Sequence, residues 1–366
     1  MDNSTNGSPD LAPPTNGGTL QDSKGWDGKL RVDRRAVVTN AEILSDPEYT
    51  NEDAPPVEQI SADEDLLEDY ELDTDDIDLV HCRISSIPAL RLERFTKLEK
   101  LCLRQNQISH IELPSSLGPT LQELDLYDNL ISHIKGLDSL IHLSSLDLSF
   151  NKLKHIKNVN HLKDLTDIYF VQNKIQKIEG LDGMTKLRNL ELAANRIREI
   201  ENLDTLTGLE ELWLGKNKIT ELKNISHLSN LKILSIQSNR LPQITGLSNL
   251  PNLEELYISH NALTEISGLD SNVNLRVLDI SNNKITHLAN LSPFEHLEEL
   301  WASSNLLSSF EEVERELAKK KELNTVYFEM NPLQLRSPAL YRNKVRLALP
   351  QIQQIDASMC QPFALF

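Results

Sequence analysis

The sequence predicts an α/β solenoid: a leucine-rich-repeat horseshoe with a parallel concave sheet, short 3-10 segments on the convex side and a C-terminal cap. Three observations carry that expectation. Leu165, Leu187, Leu209, Leu231, Leu253, Leu275 and Leu297 follow one another at a constant interval of 22 residues. Around each stands one template, L-x-x-L-x-L-x-x-N-x-L, as in Leu209, Leu212, Leu214, Asn217 and Ile219, or Leu275, Leu278, Ile280, Asn283 and Ile285. After each Asn runs I-x-x-I-x-x-L, as in Ile175, Ile178 and Leu181; a spacing of three suits a tight 3-10 return better than a full α-helix. One unit cannot bury its own apolar side, so the units must stack to make a core.

Taken in order, residues 1–72 read as a disordered acidic tail, 73–333 as about twelve repeats and 334–366 as the cap. Pro, Gly, Asn, Ser and acids dominate the tail. Ala41–Asp78 holds 16 Asp or Glu and no Lys or Arg, against a net charge of −18 for the whole chain, and this self-repulsion opposes compaction. Ser61, followed by Asp63 and Glu64, fits an acid-directed kinase, although a solvated tail serine is the commoner reading. Leu66, Leu67 and Leu72 are expected to cover the open end of the first repeat.

The first repeat is degenerate: Ile77, Leu79, Ile84 and Ile87 fit, but Cys82 stands where Asn belongs. Good copies start at Leu98, Leu121 and Leu143, with one extra residue near Pro114–Pro119 placed in a loop. The in-register asparagines from Asn106 to Asn305 read as a structural ladder, each buried amide satisfying backbone groups of its own and the neighbouring repeat. Between Leu297 and Leu323 the interval lengthens to 26 residues. There Ser308 with Glu311 forms a capping box, and Phe310, Val313 and Leu317 line one helical face. A last unit (Leu323, Val326, Phe328, Asn331, Leu333) precedes Tyr341–Ala357, which closes the end.

Several functions are disfavoured. The three cysteines have no metal-ligand spacing, the N-terminal stretch has no secretory pattern, and no run approaches the ~18–20 apolar residues of a membrane span. An intracellular protein is expected, for which the sequons at Asn224 and Asn290 are silent. The acidic balance argues against nucleic acid or an anionic membrane as partner. Carboxylates such as Glu211 and Glu255 recur with the repeat instead of converging, and nothing pairs a nucleophile with a base. His110, His133 and His155 occupy one repeat position and read as solvated histidines without acidic partners. No cofactor, no metal and no enzymatic activity are expected.

What the template leaves free is the concave face. Side chains alternate along a strand, so the residue between the second and third template Leu points outward. That column reads Cys102, Asp125, Asp147, Tyr169, Glu191, Trp213, Ser235, Tyr257, Asp279, Trp301 and Tyr327. The outward residue two earlier reads Lys100, Glu123, Ser145, Asp167, Asn189, Glu211, Ile233, Glu255, Val277, Glu299 and Thr325. Exposed Trp and Tyr on one line are costly without a partner. The candidate partner-binding set is therefore Asp125, Asp147, Tyr169, Glu191, Trp213, Glu255, Tyr257, Asp279, Glu299, Trp301 and Tyr327. Strands ~4.8 Å apart make this column about 50 Å long, a size for a folded protein with an apolar and basic surface.

The 22-residue unit, the acidic tail, the Tyr341–Ala357 cap and the acid–aromatic column together resemble the subunit 7 family of protein phosphatase 1 regulators, over about residues 65–366. The resemblance implies a concave face that holds the type 1 serine/threonine phosphatase catalytic subunit, with roles for Asp147, Tyr169, Glu191, Trp213, Glu299, Trp301 and Tyr327. It implies docking without an R-V-x-F peptide; Arg31-Val32-Asp33-Arg34 lacks the aromatic. It further implies a nuclear and cytoplasmic pool, chromosome segregation in mitosis, a ternary complex with a second phosphatase inhibitor, and preference for an inactive, metal-poor enzyme. The alternative is a structural adaptor of the axonemal or splicing leucine-rich-repeat type.

Overall fold

The structure, a computed structural model, describes residues 66–360. The expectations for residues 1–65, including Ser61 and Arg31–Arg34, and for 361–366 lie outside the described residues. Three-residue strands succeed one another through the repeats: β1 (Asp76–Asp78), β2 (Lys100–Cys102), β3 (Glu123–Asp125), β4 (Ser145–Asp147), β5 (Asp167–Tyr169) and β6 (Asn189–Glu191). They continue as β7 (Glu211–Trp213), β8 (Ile233–Ser235), β9 (Glu255–Tyr257), β10 (Val277–Asp279), β11 (Glu299–Trp301) and β12 (Thr325–Tyr327). All pair in parallel in chain order, and template position faces template position, as in Leu212 against Leu234. The template leucines and isoleucines form one continuous buried core. The expected parallel-sheet solenoid is what the chain builds.

Two corners close most turns. The residue before each ladder Asn is left-handed, from Gln105 (φ 54°) to Ser304 (φ 55°). Carbonyls thrown inward by that corner meet the ladder amide. Asn173 Nδ2 donates to Leu148 O at 2.9 Å and Phe170 O at 3.2 Å, and its Oδ1 accepts from Leu153 N at 2.9 Å. The structural reading of the ladder is correct, and each amide ties its repeat to the one before. The second corner, seven residues after each ladder Asn from Asn129 to Asn283, is either Gly or Asn: Gly180 at φ 71°, Asn202 at φ 58°. Gly180 packs directly on Ile156 O; Asn202 instead donates Nδ2 to Ile178 O at 2.7 Å. Asn224 and Asn290, the sequon asparagines, donate in the same way to Ile200 O and Ile266 O. Asn202→Gly is therefore expected to lower stability in urea by under ~1 kcal/mol. Asn202→Ala, which loses the bond and keeps a Cβ in the left-handed region, is expected to lower it by about 2 kcal/mol.

The convex returns use the hydrogen bonds expected of 3-10 geometry, but sparsely. Regular 3-10 helices occur at Pro88–Leu90, Leu92–Arg94 and Ser115–Leu117 among the described residues. Elsewhere the same bond type makes separate turns, such as Leu140 N to Leu137 O at 3.0 Å and Leu143 N to Leu140 O at 3.1 Å. The lengthened repeat holds α1 (Phe310–Leu317), with Val313 and Leu317 buried. Its cap is one residue later than the sequence suggests: Ser309 Oγ accepts from Glu312 N at 3.1 Å. The Glu312 carboxylate does not fold back to complete a box. It reaches into the previous repeat, accepting from Leu288 N at 3.0 Å and pairing with His287 Nδ1 at 2.9 Å.

Both ends of the described sheet are covered, unequally. At the first, Leu67 is buried, but Leu66 and Leu72 are exposed, so one of the three expected leucines packs. At the other, α2 (Pro332–Leu335) and α3 (Pro338–Ala348) lead to β13 (Gln354–Ile355), parallel to β12, and β14 (Ser358–Met359), antiparallel to β13. β14 covers the outer edge of β13, and at two residues it leaves only a very short edge for further pairing. Asp356, directly after β13, ties the cap to the last repeat: its Oδ1 accepts from Phe328 N at 2.9 Å, Glu329 N at 3.1 Å and Tyr341 Oη at 3.1 Å.

Candidate partner interface on the concave face

Every strand from β4 to β11 buries its central residue and turns its first residue, at least in part, outward. The candidate residues consequently line up as one column, in register: Asp125 beside Asp147, Asp147 beside Tyr169, Tyr169 beside Glu191, Glu191 beside Trp213. The column continues to Asp279 beside Trp301 and Trp301 beside Tyr327.

Its aromatic part is a chain of touching rings. Trp213 stacks on Tyr257 with centroids 6.2 Å apart; Tyr257 meets Trp301 edge-on at 6.1 Å, and Trp301 meets Tyr327 at 5.7 Å. Trp213 and Tyr257 lie two strands apart, so these rings lean toward each other over the small Ser235 between them. Tyr257 and Trp301 likewise lean over Asp279. Ser235 and Asp279 are buried in consequence, at 1% and 8% exposure. This corrects the sequence expectation for Asp279: it stands on the concave face, but neighbouring rings cover it and its Oδ1 accepts from Ser281 N at 3.0 Å.

Each leaning ring is fixed by the acid two residues before it in the same strand. Trp213 Nε1 donates to Glu211 Oε2 at 3.2 Å, Tyr257 Oη to Glu255 Oε2 at 2.7 Å and Trp301 Nε1 to Glu299 Oε2 at 2.8 Å. Glu255 and Glu299 thus orient anchors as well as carry charge. Glu211 does the same for Trp213 and was not among the candidates, although the repeated Glu-Leu-aromatic triplets at 211–213, 255–257 and 299–301 signal it. Tyr327 Oη accepts from Gln354 Nε2 of the cap at 2.7 Å. Burial, with the Glu255 carboxylate close by, pushes the Tyr257 hydroxyl up, so it remains a donor.

The other half of the column is acidic and partly compensated. Arg104, absent from the outward positions read in the sequence, pairs with Asp125 at 2.9 Å and lies over the Tyr127 ring. Asp147 and Glu191 make no ion pair among the described residues, although the Arg104 charge reaches Asp147 weakly. Burial pushes both carboxyls up; for Glu191 the Asp147 charge adds to it. An open cleft of about 430 Å³ runs here, with Cys102, Asp125, Asp147 and Tyr169 in its walls. Burial raises the Cys102 thiol to about 11, which keeps it an unreactive thiol.

The convex histidines differ in part from expectation. His155 pairs with Glu179 at 2.8 Å, whereas His110 and His133 bond Ser109 and Ser132. No group of three metal-ligating side chains comes together among the described residues, and none of their helices is long and apolar enough to cross a membrane.

Fold and face together define a leucine-rich-repeat protein with an acid–aromatic concave surface. Family models agree: one described as leucine-rich repeat matches residues 144–238, and one described as leucine-rich repeats, two copies, matches 251–296. Among curated proteins, the chain is 57% identical over 91 residues to protein phosphatase 1 regulatory subunit SDS22 of Schizosaccharomyces pombe, covering 25% of this chain and 26% of that one. It is 48% identical over 111 residues to SDS22 of Saccharomyces cerevisiae, covering 30% and 31%. The matched stretches thus span between a quarter and a third of those relatives. The resemblance read from the sequence is borne out. Among solved structures, an internalin of Listeria monocytogenes shares the fold at a TM-score of 0.60 and 23% identity, covering 78% of this chain and 87% of that one. A leucine-rich-repeat protein of Leptospira interrogans follows at 0.57 and 26%, covering 72% and 73%.

Proposed function

We propose that this chain is a non-catalytic regulatory subunit that grips the catalytic subunit of a type 1 serine/threonine phosphatase with its concave face. Through that grip it controls the enzyme's activity, maturation or localisation, in nucleus and cytoplasm, and admits a second inhibitor in a ternary complex. The carrying observation is the ring chain Trp213–Tyr257–Trp301–Tyr327, three of whose members are pre-oriented by a glutamate. Aromatic anchors already fixed in place lose little rotamer entropy on docking, the property that makes a binding hot spot. The names of the SDS22 relatives supply the partner. Native purification followed by mass spectrometry tests it: the phosphatase catalytic subunit should co-purify at near-stoichiometric yield. Dynein or small nuclear ribonucleoprotein components in its place would support the adaptor reading instead.

The acidic half of the column makes binding proton-linked. Burial raises both Asp147 and Glu191. Such acids contribute stability that is present below the ordinary carboxylate range and lost as pH rises through the raised values. A basic partner surface selects their charged forms, so docking releases protons and weakens as pH falls. Calorimetry in buffers of different ionisation enthalpy should show that release, and Asp147→Asn with Glu191→Gln should remove it. Proton uptake on binding would contradict the assignment.

A further inference from the structure

The two lateral edges of the solenoid treat charge differently. On the edge that precedes the strands, bases and acids alternate from repeat to repeat: Glu210 is held by Arg188 at 2.7 Å and by Lys232 at 2.7 Å, and Arg276 pairs with Glu298 at 2.8 Å. The edge that follows the strands is not compensated. Five consecutive repeats place Lys152, Lys174, Arg196, Lys218 and Arg240 directly after the ladder Asn. Lys154 and Arg198 stand two residues further on, and Lys216 stands one residue before Asn217. From two residues before each of these asparagines to three after it, no Asp or Glu occurs. Lys218 is half-buried and the other seven bases are exposed; none of the eight side chains has an ion pair or hydrogen bond among the described residues. Glu199 and Glu221, four residues after Asn195 and Asn217, are engaged by Lys223 at 3.6 and 3.5 Å. An open cleft of about 300 Å³ lies here, with Arg198, Lys218, Lys223 and Arg240 in its walls beside Glu199 and Glu221, four bases to two acids.

In a chain of net charge −18, a solvated edge would be expected to interleave signs as the opposite edge does, because like charges about one strand spacing apart repel. We propose that this basic edge is a docking rail for an acidic polypeptide segment laid across the repeats. Five strands ~4.8 Å apart give a rail of about 20 Å, the length of roughly six extended residues. The outward residues of the rail offer no continuous row of aromatics on which unpaired bases could stack, and the overall negative charge opposes the dense charge of a phosphate backbone at long range. Both favour a peptide over a single-stranded nucleic acid.

The test uses the full chain and a fluorescein-labelled peptide of about twelve alternating Glu and Ser residues, followed by anisotropy at low and high salt. The expected result is saturable binding that falls at least ~tenfold in the triple variant Lys174→Glu, Arg196→Glu, Lys218→Glu. The neutral triple Lys174→Gln, Arg196→Gln, Lys218→Gln should fall by less, which separates charge from misfolding, and thermal melts should show both variants folded. Lys97→Glu with Lys186→Glu on the opposite edge should leave affinity within ~twofold, and capture of the phosphatase should be unchanged in all of them. Absence of saturable binding, an equal loss from the opposite-edge variant, or tighter binding of a single-stranded RNA of equal charge at the same residues would each overturn the proposal.

Discussion

Replacing Trp301 by Ala is expected to weaken capture of the phosphatase catalytic subunit about 30-fold, corresponding to about 2 kcal/mol for a central aromatic anchor. Trp301 touches Tyr257 on one side and Tyr327 on the other, so its removal opens the ring chain in the middle. Adding Glu299→Lys should take binding below detection in a pull-down. That change removes the acceptor of Trp301 Nε1 and places a cation where a basic partner surface must approach. Both side chains lie outside the repeat core, which the template leucines fill, so the melting temperature should move by no more than a few degrees. Full capture by the double variant would place the partner elsewhere on the molecule. A matched Asp279→Asn variant should lose far less, because its carboxylate is already covered and bonded.

Period and template made the solenoid legible because every repeat solves one packing problem in the same way. Leu190, Leu212 and Leu234 are buried for a reason visible in sequence spacing alone. Alternation along a strand was likewise enough to place Asp147, Glu191, Trp213 and Trp301 on the concave face. What alternation does not contain is the lean of a side chain across neighbouring strands. Trp213 and Tyr257 close over Ser235 because Ser235 is small, a relation between residues 44 apart. The pairing of Arg104 with Asp125 joins a residue beyond one strand to the outward column of the next. The cap of α1 shifted by one residue because adjacent serines offer the same chemistry, and Glu312 has a better-placed partner in the preceding turn than in its own.

The largest effect on stability is expected from Asn217→Leu. The Asn217 amide donates to Leu192 O at 2.9 Å, Leu214 O at 3.0 Å and Gly215 O at 3.3 Å, and its Oδ1 accepts from Ile197 N at 2.9 Å. Leucine fits the volume but leaves Ile197 N buried without a partner and removes one of two donors from Leu192 O, Leu214 O and Gly215 O, which keep Asn195 Nδ2, Asn239 Nδ2 and Ala194 N. One orphaned buried group costs ~1–3 kcal/mol and the three weakened carbonyls add less each, so the total should be about 2–4 kcal/mol in urea unfolding. Two of the four bonds run to the preceding repeat, so the damage falls on the interface between units as well as within one. A solenoid depends on such interfaces for cooperativity, and the transition should broaden while the Ile197 amide loses protection from hydrogen exchange. The end of the coil shows why the position tolerates change only there. Cys82 holds the ladder position of the first described repeat; among the described residues no earlier repeat supplies carbonyls, and Sγ bonds only Val80 O at 3.5 Å. The groups of that repeat which need a partner, Leu79 O and Ile84 N, are served from above by Asn106 at 2.9 and 3.0 Å. Cys82→Asn should accordingly change stability by less than ~1 kcal/mol, and a cost for Asn217→Leu as small as that would remove the ladder from its place as the repeat-to-repeat tie.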